Sequence, residues 1–130
     1  MDTTQLKRIP LFADASDEEL RKVAYFATAK EVAEGTEVIS EGSFSRELLA
    51  IEDGTAEVTR DGEHIADLGQ GDVFGEAGML DDDLRSATVT ATSRLKLISF
   101  GHFEVKRLKK NAPGVYASIE ELVEERKRAQ

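Results

Sequence analysis

Between Lys30 and Ser99 the chain is punctuated by turn residues: Gly35, Glu41-Gly42, Asp53-Gly54, Asp61-Gly62 and Gly69-Gln70-Gly71. The runs between them are short and carry β-branched residues. An Asp-Gly pair between two such runs predicts a tight hairpin, because both central positions tolerate positive φ. Thr55 to Arg60, held between two Asp-Gly pairs, is one strand long. Glu63 to Leu68 follows, with His64, Ala66 and Leu68 expected on one face and Ile65 and Asp67 on the other. Short strands at a spacing of roughly ten residues predict an antiparallel β-roll, a barrel or jelly-roll-like fold. Val38-Ile39, Leu48 to Ile51, Ala56, Val58, Val73-Phe74, Val89 and Leu95 to Ile98 are expected to fill it.

The period changes on either side. Thr3 to Ile9 predicts a short helix ended by Pro10. Asp17 to about Ala29 predicts a longer one, with Ser16 as N-cap and Glu19 as the returning carboxylate of a capping box. Asp17 and Glu18 complement the positive end of its dipole. Leu20, Val23, Ala24, Phe26 and Ala27 form its apolar stripe. After Ser99, Gly101 to Lys110 carries Phe103, Val105 and Leu108 and ends in Lys106, Arg107, Lys109 and Lys110. Asn111-Ala112-Pro113-Gly114 predicts a break and a restart, with Asn111 or Ala112 as the cap. The last helix, about Pro113 to Arg128, places Val115, Ile119, Leu122 and Val123 on one stripe and allows a Glu124–Arg128 pair. The expected class is mainly β with flanking helices. A single domain is divided into N-terminal helices over 1–29, a β-roll over 30–99 and two C-terminal helices over 100–130.

The chain has 130 residues, enough for one core, and no cysteine, so neither a disulfide framework nor a thiolate site. No apolar run approaches the roughly 20 residues of a membrane span, and Met1 to Pro10 has no signal-peptide core. A cytoplasmic location is the expectation. The net charge of −9 argues against binding to nucleic acid or to an anionic membrane.

The stretch from Phe74 to Val89 reads FGEAGMLDDDLRSATV. Gly75 lets backbone approach a ligand closely, because it has no Cβ. Glu76 is an acceptor-only carboxylate suited to sugar hydroxyls. Arg85 carries a planar fork of donors that matches phosphate oxygens two at a time. Ser86 and the amides around Arg85 to Ala87 add donors for the same anion. A ribose acceptor and a phosphate donor thus stand at the two ends of one segment, the equipment for holding a nucleotide. No nucleophile is paired with a base, so no enzyme is expected. The acidic balance does not forbid the anion. A carboxylate about 10 Å away in water costs it roughly 0.4 kcal/mol, whereas a charge-assisted hydrogen bond gives about 1.5–3 kcal/mol.

At these residues the chain resembles the cyclic-nucleotide-binding domains, the cAMP modules of catabolite activator proteins and of protein kinase A regulatory subunits. Their phosphate-binding cassette, over 74–89 here, is matched by Phe74, Gly75, Glu76, Gly78, Arg85, Ser86, Ala87, Thr88 and Val89. Glu41-Gly42, Leu48 to Ile51, Gly54 and Leu68 to Asp72 fit as well. Leu84 stands where many relatives have Pro, and Ala77 where they have Leu or Ile.

The resemblance implies a β-roll with a helical segment before it and two helices after it. It implies a regulatory sensor in signal transduction that binds cAMP, with cGMP as a further ligand and no cofactor. Arg85, Ser86 and the amides of Ser86 and Ala87 would hold the cyclic phosphate. Glu76 would accept from the ribose 2′-hydroxyl, with backbone at Gly75 and Ala77 closing the sugar side. Ser86 in place of Thr favours cAMP. Ligand would order the cassette and shift the C-terminal helices.

Plainer readings stand beside these. Gly75-Glu76 also reads as a turn and a helix start, and Arg85 as the exposed partner of Asp81, Asp82 or Asp83. The last helix could pack on the roll, cover the purine, or pair with a second copy or another protein. A β-roll scaffold that binds no cyclic nucleotide and serves as a protein-interaction module is the alternative function. His64 and His102 lack neighbouring acids in sequence that make a convincing metal set, so solvated or turn histidines and no metal site are expected. Gly69-Gln70-Gly71 reads as a structural turn, and Asp81 to Asp83 as a solvated loop.

Overall fold

The computed structural model describes residues 2–42, 47–75 and 87–128, with side chains through Glu125. A short helix α1 (Thr3–Leu6) and a 3-10 turn (Pro10–Phe12) precede helix α2 (Asp17–Phe26). Eight strands follow: β1 (Thr28–Val32), β2 (Glu37–Ile39), β3 (Glu47–Asp53), β4 (Ala56–Arg60), β5 (Glu63–Leu68), β6 (Val73–Phe74), β7 (Thr88–Ala91) and β8 (Leu95–Gly101). Helices α3 (His102–Asn111) and α4 (Pro113–Arg128) come last. The strands form two four-stranded antiparallel sheets, ordered β1-β8-β3-β6 and β2-β7-β4-β5. This is the β-roll with helices before and after it that the turn spacing predicts.

β3 and β8, the central strands of the first sheet, are buried on both faces, which explains the unbroken apolar run in β3, whereas β1 at the edge is largely exposed. Leu49, Ile51, Leu95 and Leu97 point into the roll with Ile39, Ala56, Phe74, Val89 and Ala91. Leu48, Ala50, Val73, Ile98 and Phe100 point the other way, against Leu6, Ile9, Phe12, Leu20, Val23, Val105, Leu108, Val115 and Ile119. Only half of the run expected to fill the roll does so; the other half is the floor on which the helices sit. Lys96, within the Leu95 to Ile98 run of β8, is exposed. Phe12 and Phe100 meet edge-to-face at 5.8 Å between ring centroids, the geometry that aromatic quadrupoles favour.

Several boundaries differ from the sequence expectation. Helix α1 stops at Leu6, and Ile9 is extended, with φ −92 and ψ 117. The ring of Pro10 disfavours the helical region for the residue before it. Helix α2 stops at Phe26 rather than Ala29. Thr28, Ala29 and Lys30 are claimed by the ladder to Ser99, Ile98 and Leu97, so pairing overrides local propensity. β8 runs on to Gly101. Phe103 is 71% exposed and takes no part in the stripe of α3. The Glu124–Arg128 pair lies outside the described side chains.

The capping box at α2 is half made. Ser16 Oγ accepts from the Glu19 amide at 3.1 Å. The Glu19 carboxylate instead accepts from the amides of Gly114 and Val115, at 3.0 and 3.3 Å. These are two of the unpaired amides that begin every helix, so Glu19 of α2 caps α4. Ala112 holds the N-cap position, its carbonyl accepting from the Tyr116 amide at 3.0 Å. Asn111 turns back, its side-chain amide donating to the Arg107 carbonyl at 2.8 Å.

β5 also departs from the expected alternation. The β4–β5 ladder shifts register between Val58 and Thr59, so Thr59 pairs with His64 and Val58 with Ala66. Ile65 is the additional residue of a β-bulge, which reverses the alternation of side chains at that point. His64 therefore lies with Asp67 rather than with Ala66 and Leu68. Its ring nitrogens approach Glu57 and Asp67, acidic partners that the sequence expectation denied it.

Candidate functional site

The two sheets are joined by the chain between β6 and β7. Its first end is fixed where Leu49 pairs with Phe74 and Ala50 with Val73. Its second end is fixed where β7 pairs with both β2 and β4. Gly75 follows β6 directly and has φ 85, a value that a side chain strongly disfavours. The backbone can leave β6 in this direction because the residue there is glycine. Ala87 forms the bend before Thr88 and is half-buried.

The Glu41-Gly42 turn is fastened beside the second end. The Glu41 amide donates to Thr88 Oγ1 at 3.1 Å, and the Glu41 carboxylate accepts from the Asp61 amide at 2.9 Å. Thus β7, the β2 end and the β4–β5 hairpin meet at one corner. On the first sheet, Glu47 accepts from both Lys30 and Ser99. Among the described residues Ser99 is the buried polar one, and this carboxylate satisfies its hydroxyl.

Of the six residues singled out for ligand, Gly75 and Ala87 lie within the described structure, at the two anchored ends of the segment. Glu76, Ala77, Arg85 and Ser86 lie outside the described residues, as do Asp81, Asp82 and Asp83. The fold thus holds Gly75 and Ala87, at the two described ends of this stretch, next to strands of different sheets.

Two side-chain groupings escaped the sequence reading. One is the Glu19 cap, which links residues 95 positions apart; no local pattern encodes that contact. The other is Glu57, His64 and Asp67. The hydrogen bond that His64 donates to Glu57 is the main reason His64 titrates above its ordinary 6.5; desolvation opposes it, and the charges of Asp67 and Glu57 add to it. The two residues flank the Asp61-Gly62 turn, so their proximity was within reach of a hairpin argument. The bulge that completes the cluster was not.

Two antiparallel four-stranded sheets with helices before and after them define a β-roll domain. The family description "Cyclic nucleotide-binding domain" matches residues 29–111. The chain belongs to that family, which is regulatory and non-catalytic. It is 42% identical over 105 residues to the cAMP-dependent protein kinase regulatory subunit of Yarrowia lipolytica, covering 79% of this chain and 28% of that protein. It thus spans little more than a quarter of that relative. Among solved structures, cAMP-bound PfPKA-R superimposes with a TM-score of 0.83 at 25% identity, over 97% of this chain and 44% of the other. The catabolite activator protein of Thermus thermophilus gives 0.84 at 25% identity, over 92% and 59%. No helix among the described residues is long and apolar enough to cross a membrane.

Proposed function

We propose that this chain, acting as one unit over residues 1–130, is a sensor that binds a cyclic nucleotide, with cAMP preferred over cGMP. The observation that carries the reading is Gly75. It sits at positive φ directly after β6, in a family whose similar members include a cAMP-bound structure. Arg85 holds the cyclic phosphate with Ser86 and the amides of Ser86 and Ala87. Glu76 accepts from the ribose 2′-hydroxyl, and the backbone of Gly75 and Ala77 closes the sugar side.

Binding has consequences beyond the pocket because β6 packs on both cores. Phe74 enters the roll and Val73 faces the helices. Ordering of the cassette therefore bears on the floor under α3 and α4, and ligand shifts the helices by its differential affinity for the two arrangements.

Calorimetric titration of the wild-type chain and two variants with cAMP tests the assignment. Arg85→Leu removes a bidentate charged contact worth about 3 kcal/mol, so affinity falls roughly 100-fold or more. Glu76→Ala loses about tenfold. Unchanged affinity in Arg85→Leu, with the fold intact, removes the phosphate assignment. The absence of heat in the wild-type chain at millimolar cAMP and cGMP favours the non-binding scaffold.

A further inference from the structure

The β4–β5 hairpin is the outer part of the second sheet, with β5 as its edge strand. Counting outward from the Asp61-Gly62 turn, an unbroken ladder would set Glu57 opposite Ala66. The bulge at Ile65 sets it opposite Asp67 instead. Like charges directly across a strand pair repel, yet here the two carboxylates close on one imidazole. His64 Nδ1 lies 2.9 Å from Glu57 Oε2, and His64 Nε2 lies 3.7 Å from Asp67 Oδ2. One donor atom from each of the three residues falls within 4.8 Å of the others.

We propose that Glu57, His64 and Asp67 form a binding site for a divalent first-row transition ion, with Zn2+ the best chemical match. One imidazole and two carboxylates are a donor set that such ions accept. At zinc bond lengths of roughly 2.0–2.2 Å, tetrahedral ligands lie about 3.4 Å apart. Glu57 faces Nδ1 and Asp67 faces Nε2, so one carboxylate swings to the nitrogen that takes the ion. The donors then close from within 4.8 Å by up to about 1.4 Å, which outward-facing side chains achieve by rotation. A dication also neutralises the two opposed carboxylates, while the paired strands supply a frame that is already built. Ca2+ and Mg2+ fit less well, because they take six or more oxygens. Three protein ligands leave the fourth position to water. The ion clips edge strand β5 to β4 without any reaction at the site.

The simpler arrangement is a hydrogen-bonded triad that binds no metal. His64 and His102 are the two histidines of the chain, so ring signals in NMR report the site directly, with His102 as internal reference. Zn2+ is titrated into the whole chain, stripped with chelator beforehand, near neutral pH. The His64 signals are expected to shift and saturate at one ion per chain in the micromolar range, and to stay still with Mg2+. Glu57→Gln and Asp67→Asn should each weaken binding about tenfold, with melting temperature checked for every variant. Static His64 signals overturn the proposal. So does wild-type affinity retained in both carboxylate variants, which marks binding by a lone imidazole.

Discussion

Gly54 shows how one missing side chain holds the roll together. It lies in the β3–β4 turn at φ 104, and a Cβ there would stand 2.3 Å from the Arg94 carbonyl oxygen and 2.9 Å from Leu95 Cδ2. The neighbouring Thr55 amide donates to Ser93 Oγ at 2.9 Å, and the Thr92 amide donates to the Thr55 carbonyl at 3.0 Å. The β3–β4 and β7–β8 turns are thereby locked together. Gly54→Ala combines a strained φ with a backbone clash and is expected to cost about 2 kcal/mol or more, read from urea denaturation. Asp53-Gly54 was legible as a turn because glycine chemistry is local. Its close contact with Arg94 was not, since that contact spans 40 positions of sequence. His64 is the same lesson at another residue. A period of two assigned its face, and one bulge reversed it.

At the scale of elements, α2 and α4 are coupled through Glu19. The apolar stripes of both helices meet on the first sheet through Leu20, Val23, Val115 and Ile119. The Glu19 carboxylate adds direction, because it fixes the N-terminus of α4 at a defined point on α2. Glu19→Ala leaves two helix-start amides to water and should lower stability by about 1 kcal/mol; Glu19→Gln keeps an acceptor and should recover part of it. Glu18→Ala is the control, since Glu18 makes an exposed i,i+4 pair with Lys22 worth a few tenths of a kcal/mol. Equal losses at 18 and 19 would remove the capping role. The helices themselves were legible from Ser16, Pro113 and the apolar spacing. Their ends were set by partners elsewhere: α2 yields Thr28 to β1 because Ser99 waits opposite it.

Across the whole molecule, β3 and β8 form the shared wall between two cores, and β6 leans on that wall. A ligand bound next to β6 would therefore act on both cores at once. Cyclic AMP at about 100 times its dissociation constant should add about 2.7 kcal/mol to the stability. For a chain of this size that raises the melting temperature by roughly 10 °C. Arg85→Leu should show none of this rise at the same concentration. The roll was legible because its turns recur in sequence. The two-sided burial of β3 and β8 was not, because a continuous apolar run does not say which face each residue takes.

The account rests on a cyclic nucleotide settling between the ends of β6 and β7. Amide NMR spectra recorded while cAMP is added test this most directly. The largest shifts should fall at Gly75 and Ala87, with smaller ones spreading into α3 and α4. Unmoved amides at both positions with millimolar cAMP would contradict the account, and shifts confined to another face of the roll would contradict the site.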